Sequence, residues 1–336
     1  MWQMANPTFQ IPNMAKAKEI VGLDCNADAL EGMGLVLRVR FEEVCAFREA
    51  ATDWSDIEGV HDMRVAARRL RSALRDFLPF IKKRPLKRVR EELKIIADAL
   101  GAVRDQDVAI VALKDLKEEA EQKEIKQGIE NLIEEYSVVR NKAQARLIET
   151  ITIENLAQLH EDFASAIEEA IKVTREEIEN NQSNNINLSQ AGCSVITSSL
   201  KEFLAAGERI YEPFNVKALH KLRIAAKRLR YAIELFAPCW GEEVLSVAHE
   251  IAEMQSSLGE LHDCDAWIED LGQRLKRDEK SDTNTQRNSQ ADVWLLSHFI
   301  KTRTKDYRAA LERWNEWQQN QFAENLLKIC SITSSD

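Results

Sequence analysis

His61-Asp-Met-Arg-Val-Ala-Ala-Arg-Arg-Leu-Arg-Ser-Ala-Leu-Arg-Asp-Phe-Leu-Pro79 occurs a second time in this chain, as His220-Lys-Leu-Arg-Ile-Ala-Ala-Lys-Arg-Leu-Arg-Tyr-Ala-Ile-Glu-Leu-Phe-Ala-Pro238, with ten identities in nineteen positions. The copies lie 159 residues apart, close to half of the 336-residue chain. At about 100° per residue, His61, Arg64, Arg68, Arg71 and Arg75 fall within roughly 80° of one another on a helix. Met63, Ala66, Leu70, Leu74 and Phe77 form a second stripe about 120° away. The pattern predicts a helix over about 59–78, and again over about 216–236, that buries one face and carries a cationic edge beside it. In the second copy His220, Arg223, Lys227 and Arg230 keep the register, while Glu234 stands where the first copy has Arg75. Arg69 lies off the stripe, placed for a structural pair. Pro79 and Pro238 end both helices, because proline cannot donate the next backbone hydrogen bond.

Like charges three or four residues apart each cost a few tenths of a kcal/mol on an isolated helix. A row from His61 to Arg75, about 21 Å long at 1.5 Å per residue, recovers that cost from glutamates on a neighbouring helix or from a bound polyanion. Residues 61 to 90 hold eleven Lys/Arg against Asp62 and Asp76, and residues 217 to 230 hold six Lys/Arg and no acid. Local carboxylates are too few, which favours a polyanion whose phosphate oxygens the guanidinium forks take two at a time.

The chain as a whole carries a net charge of −10 and has a pI near 5.4, so the basic helices stand out against an acidic background that focuses the field on them. Eleven Gly and six Pro are few for this length, and Ala/Glu/Leu/Lys/Arg-rich stretches dominate, which predicts an all-α fold. Six cysteines (Cys25, Cys45, Cys193, Cys239, Cys264, Cys330) show no CxxC pair and no zinc-ligand spacing. They read as free thiols of a reducing compartment. No run of 18 apolar residues and no secretory pattern is present, so a cytoplasmic protein without a membrane partner is expected.

One plan runs twice along the chain. A first helix is expected over about 31–51 and 194–211, the basic helix next, a third over about 86–115 and 242–276, and a fourth over about 124–150 and 292–329. An amphipathic stretch at 154–179 bridges the halves, and the Asn-rich run at 180–188 and the polar run at 281–289 read as loops. The organisation inferred is an irregular leader (1–30), a first repeat (31–150), a connecting helix and Asn-rich loop (151–192) and a second repeat (193–330). Four helices per repeat is the arithmetic of a four-helix bundle. Two such bundles related by a pseudo-twofold would turn their basic helices toward one central groove.

A second phrase recurs downstream: Leu100-Gly-Ala-Val-Arg-Asp105-Gln-Asp107 returns as Leu258-Gly-Glu-Leu-His-Asp263-Cys-Asp265, offset by 158. With His-x-x-Arg-x-x-x-(Arg/Lys)-Arg-Leu-Arg and then Leu-Gly-x-x-(Arg/His)-Asp-x-Asp, each present twice and in the same order, the chain resembles the CHAD family of conserved-histidine α-helical domains across residues 31–330. The resemblance implies a pair of four-helix bundles that form one CHAD domain and bind inorganic polyphosphate, without catalysis, along a basic groove. By motif position the family's basic residues fall on His61, Arg64, Arg68, Arg69 and Arg71, and on His220, Arg223, Lys227, Arg228 and Arg230. Arg75 and the run Lys82, Lys83, Arg84, Lys87, Arg88 and Arg90 have no counterparts in the second repeat. All of these except Arg90 are assigned to the polyphosphate site, which is expected to be stronger on the first half.

A histidine among arginines resists protonation unless a phosphate supplies opposing charge. His61 and His220 are therefore read as phosphate contacts or structural groups rather than reactive ones. Asp105/Asp107 and Asp263/Asp265 could hold a divalent cation, but two carboxylates on one helix more often orient arginines, and no metal or other cofactor is assigned. Glu119-Ala-Glu-Gln-Lys123 matches the ExExK phrase of triphosphate-tunnel enzymes, yet it sits mid-chain in a helical run without β-formers, so it is read as coincidence. The competing functions are binding of an RNA phosphate backbone and a polyphosphate-metabolising or phosphohistidine enzyme. Nucleic acid is disfavoured because base stacking wants aromatics among the arginines, and only Phe77, on a buried face, and Tyr231 are available. Polyphosphate, including polyphosphate granules, is the expected partner.

Overall fold

The computed structural model describes residues 17–182, 185–278 and 286–331. The first sixteen residues of the leader, part of the Asn-rich loop and most of the polar run before residue 286 lie outside the described residues. The described chain is all-helical: α1 (Ala29–Ala46), α2 (Arg48–Thr52), α3 (Ile57–Phe77), α4 (Lys87–Glu119), α5 (Lys123–Thr150), α6 (Ile153–Asn180), α7 (Leu188–Gly207), α8 (Val216–Phe236), α9 (Glu242–Asp278), α10 (Gln286–Gln319) and α11 (Phe322–Ser331). The two basic helices, α3 and α8, stand where the periodicity places them. Their N-caps also repeat at the 159-residue offset. Asp56 accepts from the Glu58 and Gly59 amides at 2.9 and 3.1 Å, and Asn215 accepts from the Ala218 amide at 3.0 Å.

The second copy's third helix, expected over about 242–276, runs for 37 residues as α9. Three features differ from expectation. The first helix breaks at Phe47 into α1 and α2. The last helix divides at Gln321, whose φ of 53° no helix interior adopts, so α10 and α11 are separate. The segment read as a bridge between halves is α6, and it packs on α1 and α4.

Helix lengths explain that last difference. α3 has 21 residues and α4 has 33, about 32 and 50 Å at 1.5 Å per residue, so the far end of α4 overhangs. Contacts of α1 with α3, α3 with α4, α4 with α6 and α6 with α1 close a ring of four; α7, α8, α9 and α11 close another. Both rings share one apolar core, which includes Met33, Phe41, Met63, Leu70, Phe77, Phe203, Leu229 and Phe236. The overhanging ends of α4 and α9 bury Leu113, Leu116, Cys264 and Leu271 against α5 and α10 in a second, smaller core. α3 is enclosed by α1, α2, α4 and α8, so it buries far more than the single face its pattern suggested.

One cysteine expectation is corrected. Cys25 of the leader forms a disulfide with Cys239, just beyond α8, with Cα atoms 5.4 Å apart across 214 residues of sequence. No local spacing could announce it, because the two meet only when residues 25–28 lie along the start of α7, where Leu188 and Ser189 amides donate to Ala27 and Cys25 carbonyls. Cys45, Cys193, Cys264 and Cys330 are free thiols. No described helix is long and apolar enough to cross a membrane.

Candidate anion-binding site

α3 packs against α8, bringing the two copies of the repeated phrase together. Phe77 and Phe236, the same position in each copy, meet edge to face with ring centroids 5.9 Å apart. Such a pair adds about 0.5–1.5 kcal/mol beyond the area it buries and fixes the register of the two helices at their C-terminal ends.

The stripes open onto a cavity of about 670 Å³. Eight cations line it: Arg68, Arg71 and Arg75 from α3, Lys87, Arg90 and Lys94 from α4, and Lys227 and Arg228 from α8; Glu91 is the single carboxylate. Arg75 is neutralised in place by Asp76 at 2.6 Å, and Arg228 by Glu202 at 3.0 Å. Arg68, Arg71, Lys87, Arg90, Lys94 and Lys227 have no carboxylate partner among the described residues. α4 starts at Lys87 with no side-chain cap and no acid in its first turn, so its unpaired N–H groups add to the positive field. Arg90 and Lys94 extend the assigned set. Their signal was in the sequence, because Lys87, Arg90 and Lys94 are spaced three and four apart and share a helix face.

At the centre of this cluster the field is strong enough to move protons. Burial pushes the Lys227 ammonium down to about 7, and Arg68, Arg223, Arg64 and Arg230 push the same way. Burial likewise lowers the Arg68 guanidinium below its ordinary value, with Tyr231 opposing and Arg230, Arg64 and Arg69 adding to the effect. The Arg68 Nε is buried without a hydrogen-bond partner. Arg68 and Arg230 lie 5.4 and 4.8 Å from the ring centre of Tyr231, which is itself buried.

The second repeated phrase supports the first. Arg64 reaches Asp105 at 3.3 Å across the place where α3 passes α4. Gly101 leaves room for the Arg64 guanidinium, which a Cβ there would displace; at Gly259 a Cβ would stand 3.8 Å from Arg223 Nε. Residues two apart on a helix point about 200° apart, so the carboxylates of each Asp-x-Asp serve different neighbours. Asp105 faces Arg64, while Asp107 pairs with buried Arg140 of α5 at 2.9 Å; Asp265 pairs with Arg303 of α10 at 2.5 Å. These carboxylates orient arginines, and no group of three or more potential metal ligands gathers among the described residues. Gly101→Ala is expected to fold, with Arg64 displaced and affinity for a polyanion reduced about three- to tenfold, since one partly exposed charge pair is worth about 1 kcal/mol. Titration of the variant checks this; unchanged affinity would remove Arg64 from the site.

The histidines lie farther along the same helices, outside the cavity wall. His61 Nε2 is buried without a partner, and burial with Arg104 holds the ring below its ordinary pKa. His220 Nδ1 stands 3.3 Å from Nδ1 of His262, the second repeat's counterpart of Arg104, and burial, His262, Arg223 and Lys227 all lower it. The remaining assigned residues point elsewhere. Arg69 pairs with buried Glu43, Lys82 with Glu177, Arg88 with Glu92 and Asp162, and Arg230 with Glu234. Lys83 and Arg84 are exposed in the turn before α4 and do not line the cavity.

Solved structures share this fold. The crystal structure of the CHAD domain from the plant Ricinus communis superposes with a TM-score of 0.70 at 18% identity, covering 88% of this chain and 95% of its own. PptA from Streptomyces chartreusis superposes with a TM-score of 0.60 at 12% identity, covering 86% of this chain and all 100% of its own. No curated protein matches the sequence. With both phrases present twice inside the stretch 35–272 that the CHAD domain profile matches, this chain belongs to the CHAD family.

Proposed function

We propose that this protein binds inorganic polyphosphate, without converting it, along the cationic cleft between α3, α4 and α8. The observation that carries the reading is the set of six cations without carboxylate partners among the described residues, around one cavity that holds a single described carboxylate. Crowding charge of one sign around one cavity costs repulsion in the free protein, and an anion of high charge density removes that cost on binding. The polyanion enters at Lys87, Arg90 and Lys94, passes Arg71, Arg68 and Lys227, and continues toward Arg64, Arg223 and the histidines. Lys83 and Arg84 meet its outer turns. The ring of α1, α3, α4 and α6 and the ring of α7, α8, α9 and α11 form the cleft as pseudo-symmetric four-helix bundles, and the first supplies most of the charge. Polyphosphate granules of the cytoplasm are the proposed cellular partner.

An RNA backbone would find the same cations but no platform for its bases, because the one aromatic ring on the wall, Tyr231, is buried beside two guanidinium groups. Chain length separates a groove from a simple phosphate pocket. In a direct titration, polyphosphate of about a hundred units is expected to bind at least a hundredfold more tightly than triphosphate, because contacts worth about 1 kcal/mol each add along the groove. Equal affinity for the two would confine binding to a single pocket and overturn the reading.

A further inference from the structure

We infer that Lys227 is an acylation site: a small acyl phosphate docks its phosphate on the guanidinium groups around the lysine and transfers its acyl group to Nζ. The neutral amine attacks the carbonyl carbon, the C–O bond to phosphate breaks, and the amine proton leaves with the phosphate as inorganic phosphate. The products are an amide and one phosphate ion, with no further reactant required. The inference shares with the proposed function the premise that this cavity accepts phosphate.

Three features of the position meet in this residue. Lys227 lines the cavity, so a small electrophile reaches it. Arg68, from the opposite helix and also on the wall, is the charge that acts on it most strongly and has a buried Nε with no partner. No carboxylate among the described residues pairs with Lys227, whereas Arg228 beside it is held by Glu202 of α7. Glu91 on α4 is the one carboxylate on the same wall, and those of the adjoining region, Asp105 on α4 and Asp263 on α9, face Arg64 and Arg223. With its ammonium lowered to about 7, half of the side chain is a free amine at neutral pH; an ordinary lysine, near 10.4, is about 0.04% free amine there. The neutral form is the nucleophile. Acylation removes the Lys227 charge from the centre of the cluster, so the modified protein holds a polyanion less tightly. A bound polyanion in turn blocks the cavity and restores the proton.

The test is reaction of the full-length protein with acetyl phosphate from pH 6 to 9, with the modified lysines quantified by mass spectrometry in the presence and absence of long-chain polyphosphate. Lys221, exposed six residues earlier on α8, is the internal reference. The expected result is acetylation of Lys227 at least tenfold faster than Lys221 at pH 7, levelling off above about pH 8, and suppressed by polyphosphate at Lys227 alone. Arg68→Gln is expected to slow the reaction at Lys227 and leave Lys221 unchanged. Modification of Lys227 no faster than Lys221 overturns the inference, and if polyphosphate still binds in that sample the proposed function stands. Preferential modification of Lys227 in a protein that fails to bind polyphosphate supports the inference and removes the polyphosphate reading instead.

Discussion

Replacing Arg68 and Lys227 together with glutamine is expected to weaken polyphosphate binding more than a hundredfold and, at the same time, to make the unliganded protein more stable. Both cations are half-buried in the cavity wall, Arg68 pushes the Lys227 proton off, and neither has a carboxylate partner among the described residues. Truncating a buried, desolvated charge contact at an interface costs about 2–5 kcal/mol of affinity, and two such losses exceed the factor of a hundred that about 2.8 kcal/mol represents. In the free protein the same substitutions relieve repulsion, so the unfolding midpoint rises. The opposite signs are what separate a binding site from internal ion pairing: if these cations were structural partners of acids, their removal would lower the midpoint. The pH dependence has a definite sign as well. Lys227 titrates near 7 in the folded chain and near 10.4 when unfolded. Lowering the pH from about 10.4 to 7 therefore protonates the unfolded state first and costs stability, with no further loss from this group below its folded pKa. Lys227→Gln should remove that slope, which denaturant unfolding at several pH values measures.

Asp107→Ala is expected to be the most destabilising single substitution of a charged residue in the repeated phrases. The carboxylate and its partner Arg140 are only 3% and 9% exposed, and removing one member of a buried pair leaves an uncompensated charge at a cost of about 3–5 kcal/mol. Asp105→Ala, two residues away but with a side chain 67% exposed, should change stability by less than about 1 kcal/mol and act on binding through Arg64. The double variant Asp107→Leu, Arg140→Met should regain most of the lost stability, because apolar residues of similar volume replace buried pairs at little cost. Equilibrium unfolding in urea reads all three. Equal losses for Asp105 and Asp107 would mean that the two carboxylates share one function, contrary to their separate partners.

The helices of the basic phrase could be read from the sequence because their period, caps and terminating prolines agree with one another. The stripe from Arg64 to Arg75 was legible for the same reason: four arginines on one edge of a helix are a local pattern. What the sequence could not reveal depends on distant packing. Arg69 reads as one of a structural pair, yet its partner Glu43 on α1 is not visible from the sequence, whereas the Arg230–Glu234 pair one turn along α8 is a local one. α6 looked like a connector because nothing in its own pattern names α1 and α4 as its neighbours. The Cys25–Cys239 pair joins a leader to a helix end 214 residues away. Asp-x-Asp reads as orienting arginines, but which arginine each carboxylate meets depends on packing, since a helix turns the two to opposite sides. Lys94 went unassigned because it lies beyond the dense run, although its spacing from Lys87 and Arg90 places it on their face.

The most direct test of the central claim is a calorimetric titration of the protein with long-chain polyphosphate at about 50 and 300 mM salt, repeated with single-stranded RNA of equal charge as competitor. The account predicts tight binding at low salt, a steep loss of affinity at high salt from release of the counterions along the polyanion, and no displacement by RNA at matched charge. Absence of binding at low salt, or displacement by RNA at equal concentration, would contradict it.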